Sequence, residues 1–433
     1  MKRGIVWFKN DLRVGDNIVL NQALLNCDQV IPFYCINASA YKLNKFGFRG
    51  MGFFRTQFML ESLRDLDRIL QKLGGCLIVA YGNPIDEIIK VVNDYGASVV
   101  YTMEEVGYDE IQINMKVKKI LKEAYIEFIT YSNSTLYREG DLNMEVYNIS
   151  DVFTEFRKYI ERMSKVEEAI SEPNHIPVPS KVNIPIPGID FFGFQIVERD
   201  TRAVIDFKGG ESFGLERIQQ FIFGTRAINT YKQNRNALLG ENNSSKLSPW
   251  LSMGCISPRQ VYHEVKKYEK EFVSNESTYW LIFELLWRDF FWFMMKKHKH
   301  LYFLKEGIKG NRKTYTSYNQ TILNNWVSGE TENDFIDANM IELKQTGFMS
   351  NRGRQNVASF LCHNLNMDWR YGAAYFQEAL IDFDVSSNWC NWAYIAGVGN
   401  DPRGVRTFNI EKQSKEYDSN YEYRKHWLID RFE

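Results

Sequence analysis

The sequence predicts a Rossmann-like parallel α/β domain, a long connector and a C-terminal all-helical domain. Strand and helix patterns alternate over residues 1–130. Prolines interrupt residues 131–209, where other patterning fades. Beyond residue 210, apolar residues recur at three- and four-residue spacing, and β-hairpin signals are absent. Strand–helix alternation buries a parallel sheet between helical layers. Sustained helical periodicity without strand signals implies helices packed on helices. At roughly 100–200 residues per domain, 433 residues hold both units.

Gly4–Phe8 (GIVWF) is a buried-strand signal, repeated at Val30–Ile36, Leu77–Ala80 and Ser98–Thr102. Helical patterns at Phe53–Leu73, Pro84–Tyr95 and Glu110–Glu123 lie between and after them. Nucleotide-like ligands often bind beyond the carboxyl ends of such strands. No G-x-G-x-x-G follows the first strand and no Walker loop occurs, which argues against ordinary dinucleotide binding. Pro173, Pro177, Pro179, Pro185 and Pro187 then block regular helix and favour extended chain. A short helix at Ser150–Glu168 interrupts this connector. The second unit reads as helices at Glu211–Phe223, Pro258–Phe272, Ser277–Lys297, Asp334–Gln345, Arg354–Leu365 and Tyr371–Leu380.

Composition excludes several classes. Hydrophobic residues are 44% and charged residues 25%, so the chain is not mainly disordered. No apolar run reaches the roughly 18–20 residues of a membrane span, and the first residues do not read as a signal peptide. The net charge of −1 excludes a uniformly basic nucleic-acid binder but not a local basic patch. The six cysteines form no C-x-x-C and no zinc-like spacing with histidines. They read as reduced thiols of a cytoplasmic protein, with no metal. Nine of the ten tryptophans lie beyond residue 249, consistent with a Trp-rich core or with a stacking or electron-transfer site.

Four clusters carry candidate chemistry. Glu284, Trp287, Arg288 and Phe291 share one helical face. Such a mixed face suits a flat aromatic ligand with polar edges, or a buried Glu–Arg pair beside core aromatics. Lys296, Lys297, Lys299, Lys305, Lys309, Arg312 and Lys313 form a basic stretch, either a phosphate-backbone patch or a solvated loop. Ser244–Ser248 is a hydroxyl-rich turn ahead of a helix, fit for a phosphate or a plain N-cap. Asn351–Arg354, Asp382, Asp384, Asn388, Trp389 and Trp392 combine arginine, acids, amide and indoles. They suit a redox ring, whose charge Arg354 would tune, or a salt-bridged helix junction.

Ordered motifs across nearly the whole chain resemble the photolyase/cryptochrome family. Trp7–Arg13 (WFKNDLR) with Asp16-Asn17 is similar to its N-terminal signature. Gly209–Ser212, Tyr231–Asn236, Ser244–Arg259, Thr346–Phe360 and Asn391–Arg403 resemble its DASH branch. The resemblance implies FAD in the helical domain, with Tyr231 and Ser244, Ser245, Lys246, Leu247 and Ser248 at its phosphates and ribityl chain. Arg354 would pair with Asp382 beside the ring, Asp384 would contact the cofactor, and Asn388 would face the flavin N5.

The implied reaction is blue-light repair of cyclobutane pyrimidine dimers, a carbon–carbon lyase activity of the deoxyribodipyrimidine photolyase type. Excited reduced flavin lends an electron to the dimer and recovers it after splitting. The cofactor supplies that chemistry, and the protein orients and tunes it. Glu284 would bond the pyrimidine edge and Trp287 would stack on it. Arg235, Arg288, Asn351, Arg352, Gln355 and Tyr394 would face lesion or backbone. Trp392 and Trp369 match an inward electron route whose outer member aligns near Thr316, leaving Tyr315 or Tyr318 as substitutes. A 5,10-methenyltetrahydrofolate antenna would lie between the domains against Glu105, with Glu104 competing.

Where duplex-active relatives carry a second stacking Trp and a Met, this chain has Tyr394 and Gln355. The implied partner is therefore single-stranded DNA carrying dimers, engaged by a monomer without a membrane. The alternative is a blue-light photoreceptor with little repair.

Overall fold

The computed structural model describes residues 1–180, 185–310, 317–403, 405 and 407–432. Five strands, β1 (Arg3–Phe8), β2 (Gln29–Asn37), β3 (Ile78–Gly82), β4 (Val99–Met103) and β5 (Glu127–Tyr131), form one sheet in the order β3-β2-β1-β4-β5. All neighbours are parallel, with Ile5 opposite Ile31 and Val100. Side chains alternate between faces along a strand. Ile5 and Trp7 accordingly join Ile31, Phe33 and Val100 in one core beneath α3 (Pro84–Tyr95) and α4 (Tyr108–Glu123). Val6 and Phe8 join the larger core with α1 (Ile18–Asn26) and α2 (Phe53–Lys72), and this core runs on into the helical region.

Within the α/β region, β5 and α1 add to the strands and helices read from sequence. Strand β5 lies at the sheet edge with half-buried and exposed side chains, so it has no apolar run. Helix α1 is set by Asn17, whose side chain accepts from the Val19 and Leu20 amides.

The connector holds α5 (Phe153–Met163). There follow α6 (Glu211–Gln219), α7 (Tyr231–Asn234), α8 (Ser248–Ser252), α9 (Pro258–Glu271) and α10 (Glu276–His298). Then come α11 (Gln320–Ser328), α12 (Asp334–Thr346), α13 (Asn351–Ser359), α14 (Trp369–Ala379), α15 (Val385–Ile395), α16 (Ile410–Tyr417) and α17 (Glu422–Trp427). Helices α6 and α13 each end in one widened turn, closed by Thr225 N–H to Gln220 O (2.8 Å) and Leu365 N–H to Phe360 O (3.0 Å). Such i to i+5 turns often stand at functional sites. No helix among the described residues is long and apolar enough to cross a membrane.

The WFKNDLR segment and its sequel bind the two regions together. Arg13 donates to Gly254 O (3.0 Å) and Asn133 Oδ1 (2.9 Å). Asp16 pairs with Arg259 at 3.0 Å, both fully buried. A Cβ on Gly254 would stand 2.0 Å from Asn10 O, so glycine is required for this approach. Glu211 accepts from the Val14 (2.7 Å) and Gly15 (2.9 Å) amides, and Asp289 from Leu136 (2.9 Å) and Tyr137 (3.0 Å).

Burial pushes Glu211 and Asp289 up to about 7 from ordinary values of 4.5 and 3.8. Between those limits the folded protein holds protons that the unfolded chain releases. Their contribution is therefore full below about pH 4 and is lost as pH rises through 7. The urea midpoint should fall between about pH 4 and pH 7, and Glu211→Gln with Asp289→Asn should flatten that decline. An undiminished decline in the double variant would assign it to other groups.

Candidate functional site

The first part of the site is the corner between α12, α13 and α15. Ser350 caps α13 by accepting from the Gly353 amide at 3.0 Å. A Cβ on Gly353 would lie 2.1 Å from Asn339 Oδ1, so glycine allows α13 to meet α12. One turn into α13, Arg354 donates from Nη2 to Asp382 Oδ2 (2.8 Å) and from Nε to Met349 O (2.9 Å). Asp382 Oδ1 is buried without a hydrogen-bond partner, as are Asn339 Oδ1 and Asn356 Oδ1. Asp384 caps α15 through the Ser387 amide (2.7 Å) and the Ser386 hydroxyl (2.6 Å). Asn388, one turn later, donates to Ala373 O at 3.0 Å and ties α15 to α14.

The serine turn lies against this corner. Arg217 clasps its backbone, donating to Ser245 O (2.9 Å), Ser244 O (3.4 Å) and Glu241 O (3.0 Å). Lys246 takes a left-handed backbone, φ 57°, which bends the turn inward. Its buried ammonium donates to Ser244 Oγ at 3.0 Å. Burial pushes that ammonium down to about 8 and the nearby Glu342 carboxyl up to about 7. The Tyr423 hydroxyl donates to Glu342 at 2.6 Å. Lys246 and Arg354 both stand over the Phe348 ring, at 5.5 and 5.6 Å. Leu247 is buried, and Ser248 begins α8. Tyr231 is buried too, beside Ser245 and close enough to Glu284 to feel its charge. Unpartnered buried oxygens at one end and buried cations with hydroxyls at the other fit a ligand having a polar ring edge and phosphates.

The third part lines α10. Arg235 pairs with Glu284 Oε1 at 2.8 Å, and Trp280 Nε1–H donates to the same oxygen at 3.2 Å. Trp287 stacks on Phe153 of α5, with centroids 3.7 Å apart and planes at 10°, and meets Tyr394 edge-on at 6.3 Å. The Tyr394 hydroxyl accepts from Arg403 at 3.3 Å. Arg352 reaches Asn236 (3.3 Å) and lies over Tyr417. Asn351 is exposed at the start of α13, and Gln355 is half-buried one turn on.

Arg288 departs from the expected nucleic-acid contact. Its guanidinium donates to Ser134 O and to Leu251 O (3.2 Å), because the helix directs it towards the connector and α8. Three lysines of the basic stretch also depart from a phosphate patch. Lys296 pairs with Glu104 (2.6 Å) and Glu139, Lys297 with Asp151 (2.9 Å), and Lys309 donates to Asp401 O (2.8 Å). Arg312 and Lys313 lie outside the described residues.

Aromatic rings continue from α15 towards the surface. Trp392 packs edge-on against Phe376 (5.1 Å) and Trp326 (6.1 Å). Trp369 meets Trp389 at 5.8 Å, and Trp389 lies 6.5 Å from Phe46. From Phe46 the rings step to Tyr371 (5.1 Å) and to Tyr318 (4.6 Å, stacked), which is 50% exposed. Tyr315 and Thr316 lie outside the described residues.

Glu105 lies in a cleft between sheet and helices with Asn10, Glu110, Trp292 and Asp384. It pairs with Lys9, whose ammonium also donates to Asn114 Oδ1 at 2.6 Å. The remaining cavity is about 30 Å³, room for a water or two.

Sequence reasoning missed Trp280, Phe153, Arg217, Glu342 and the Trp389–Phe46–Tyr371 steps. Trp280 was readable one helical turn before Glu284. The others come from segments remote in sequence.

The family model described as DNA photolyase matches residues 4–177, and that described as FAD binding domain of DNA photolyase matches 280–430. A Synechocystis protein named Cryptochrome DASH is 43% identical over 98% of this chain and 87% of its own length. The solved Synechocystis cryptochrome superposes with a TM-score of 0.95 at 42% identity, covering 99% of this chain and 89% of that one. An archaeal photolyase from Sulfolobus tokodaii, described with two FAD molecules, gives 0.79 at 30%, covering 98% and 90%.

Proposed function

The chain belongs to the photolyase/cryptochrome family, in its DASH cryptochrome branch, and from that premise we propose that it is an FAD-dependent, blue-light-driven enzyme splitting cyclobutane pyrimidine dimers, preferentially in single-stranded DNA. The observation that carries this reading is the position of Tyr231, buried close to both Ser245 and Glu284. The polar mouth on α10 and the serine turn thus share one buried neighbour.

Tyr231, Ser244–Ser248, Arg354, Asp382, Asp384 and Asn388 would hold FAD. When bound, the flavin supplies photoinduced electron transfer. The chain's own groups orient and exclude. Arg354 keeps Asp382 Oδ2 engaged and leaves Oδ1 for the ligand. Glu284 uses Oε1 for Arg235 and Trp280, and no bond to Oε2 occurs among the described residues. That oxygen is free for a pyrimidine edge. Phe153 covers one face of Trp287 and so holds the indole plane. Arg235, Asn351 and Arg352 border the mouth for lesion and backbone. A folate antenna would lie against Glu105, which here pairs with Lys9.

A photoreceptor with little repair is the second reading. The engagement of Arg288, Lys296 and Lys297 by protein acceptors favours it, since these cations no longer serve phosphates. Blue illumination of purified, flavin-loaded protein with dimer-containing oligothymidylate separates the two. Repair restores thymine absorbance, whereas a receptor leaves it unchanged.

A further inference from the structure

Trp280 has no assigned part in the chemistry, yet it makes three kinds of contact, one of them with the mouth acid. Its Nε1–H donates to Glu284 Oε1 at 3.2 Å from one turn earlier on α10. Its ring stacks on Phe283, with centroids 4.6 Å apart and planes at 29°. Two cations of α7 lie over it, Lys232 at 4.5 Å and Arg235 at 5.4 Å. Arg235 also holds Glu284 Oε1 at 2.8 Å. The indole is therefore clamped between Phe283 and the α7 cations, and its N–H has a fixed direction. Two donors converge on one carboxylate oxygen, which prevents the group from swinging and leaves the other oxygen facing outward.

We infer that Trp280 is a positioning residue for Glu284, holding Oε1 so that Oε2 alone meets the nucleobase. The inference rests on the proposed repair reaction for its catalytic consequence, but the contact itself does not. Burial raises the Glu284 carboxyl, while Arg235 and the Trp280 bond oppose that rise. The groups facing it are Arg235, Lys232 and Tyr231 from α7, with Arg352 of α13 near Arg235. Arg157 of α5 lies over Phe283, and Tyr394 of α15 sits beyond Trp287. None of these is an acid that would mask the titration.

The test uses Trp280→Phe, which keeps a ring on Phe283 and removes the donor. Infrared titration of the Glu284 carboxyl, identified by its absence in Glu284→Gln, should show the midpoint rising by roughly one pH unit, because a bond to the charged form is lost. Dimer splitting should fall several-fold in Trp280→Phe but show no further loss when Trp280→Phe is added to Glu284→Ala. An unmoved midpoint, or equal loss in both backgrounds, overturns the inference. If the parent protein splits no dimers, the repair reading fails while the midpoint still decides the positioning role.

Discussion

Trp392→Phe is expected to abolish nearly all light-driven reduction of bound flavin. The indole lies one helical turn beyond Asn388 on α15 and is buried. Helix α14 carries glycine at 372, where a Cβ would lie 2.2 Å from the Trp392 ring, so that helix is shaped around the indole. Phenylalanine preserves a ring against Phe376 and Trp326 but lacks the more easily oxidised indole. Further out, Trp369 meets Trp389, from which ring contacts run through Phe46 and Tyr371 to exposed Tyr318. Tyr318→Phe and Tyr315→Phe should therefore slow photoreduction only in part. Absorbance of the oxidised flavin under blue light with an external thiol reads all three. Unchanged reduction in Trp392→Phe would make this tryptophan plain core.

Asp384→Ala should be purified mostly without flavin. The carboxylate caps α15 by two bonds, and removing such a cap costs about 1 kcal/mol. That loss lowers the melting temperature by a few degrees and does not unfold a chain of this size. A drop of flavin content to a small fraction, measured by absorbance after gel filtration, would then exceed what capping explains. Stoichiometric flavin with a slightly lowered melting temperature would leave Asp384 a helix cap only.

The sheet and most long helices were legible because burial on both faces, or along one stripe, leaves unbroken apolar patterns. Gly4–Phe8 and Ser277–Lys297 emerge within a few residues of β1 and α10. Helix α15 was not, since VSSNWCNWAYI mixes polar and aromatic residues and its start depends on the Asp384 cap. Within the site, the Arg354–Asp382 pairing implied by resemblance is seen directly. The fate of Arg288 and the lysines was not legible, because their acceptors Ser134, Glu104, Glu139 and Asp151 lie more than a hundred residues away in sequence. Phe153 likewise reaches Trp287 across that distance.

Strand preference follows from how firmly a flipped dimer can be held. Base–aromatic stacking contributes about 1–3 kcal/mol per base, and extruding a dimer from duplex costs a few kcal/mol, much less from a single strand. Tyr394 offers a smaller ring than tryptophan and is held edge-on to Trp287 with its hydroxyl bound by Arg403. Gln355 adds no thioether wedge. Weak capture loses the duplex first, and the net charge of −1 supplies no long-range field to offset it. Tyr394→Trp with Gln355→Met should move the balance towards duplex. The decisive measurement is thymine absorbance recovery on matched dimer-containing oligonucleotides, single-stranded and annealed, under equal blue light at fixed salt. Fast recovery on the single strand with little on the duplex is the predicted result. Equal rates would contradict the strand preference, and no recovery on either would contradict repair itself.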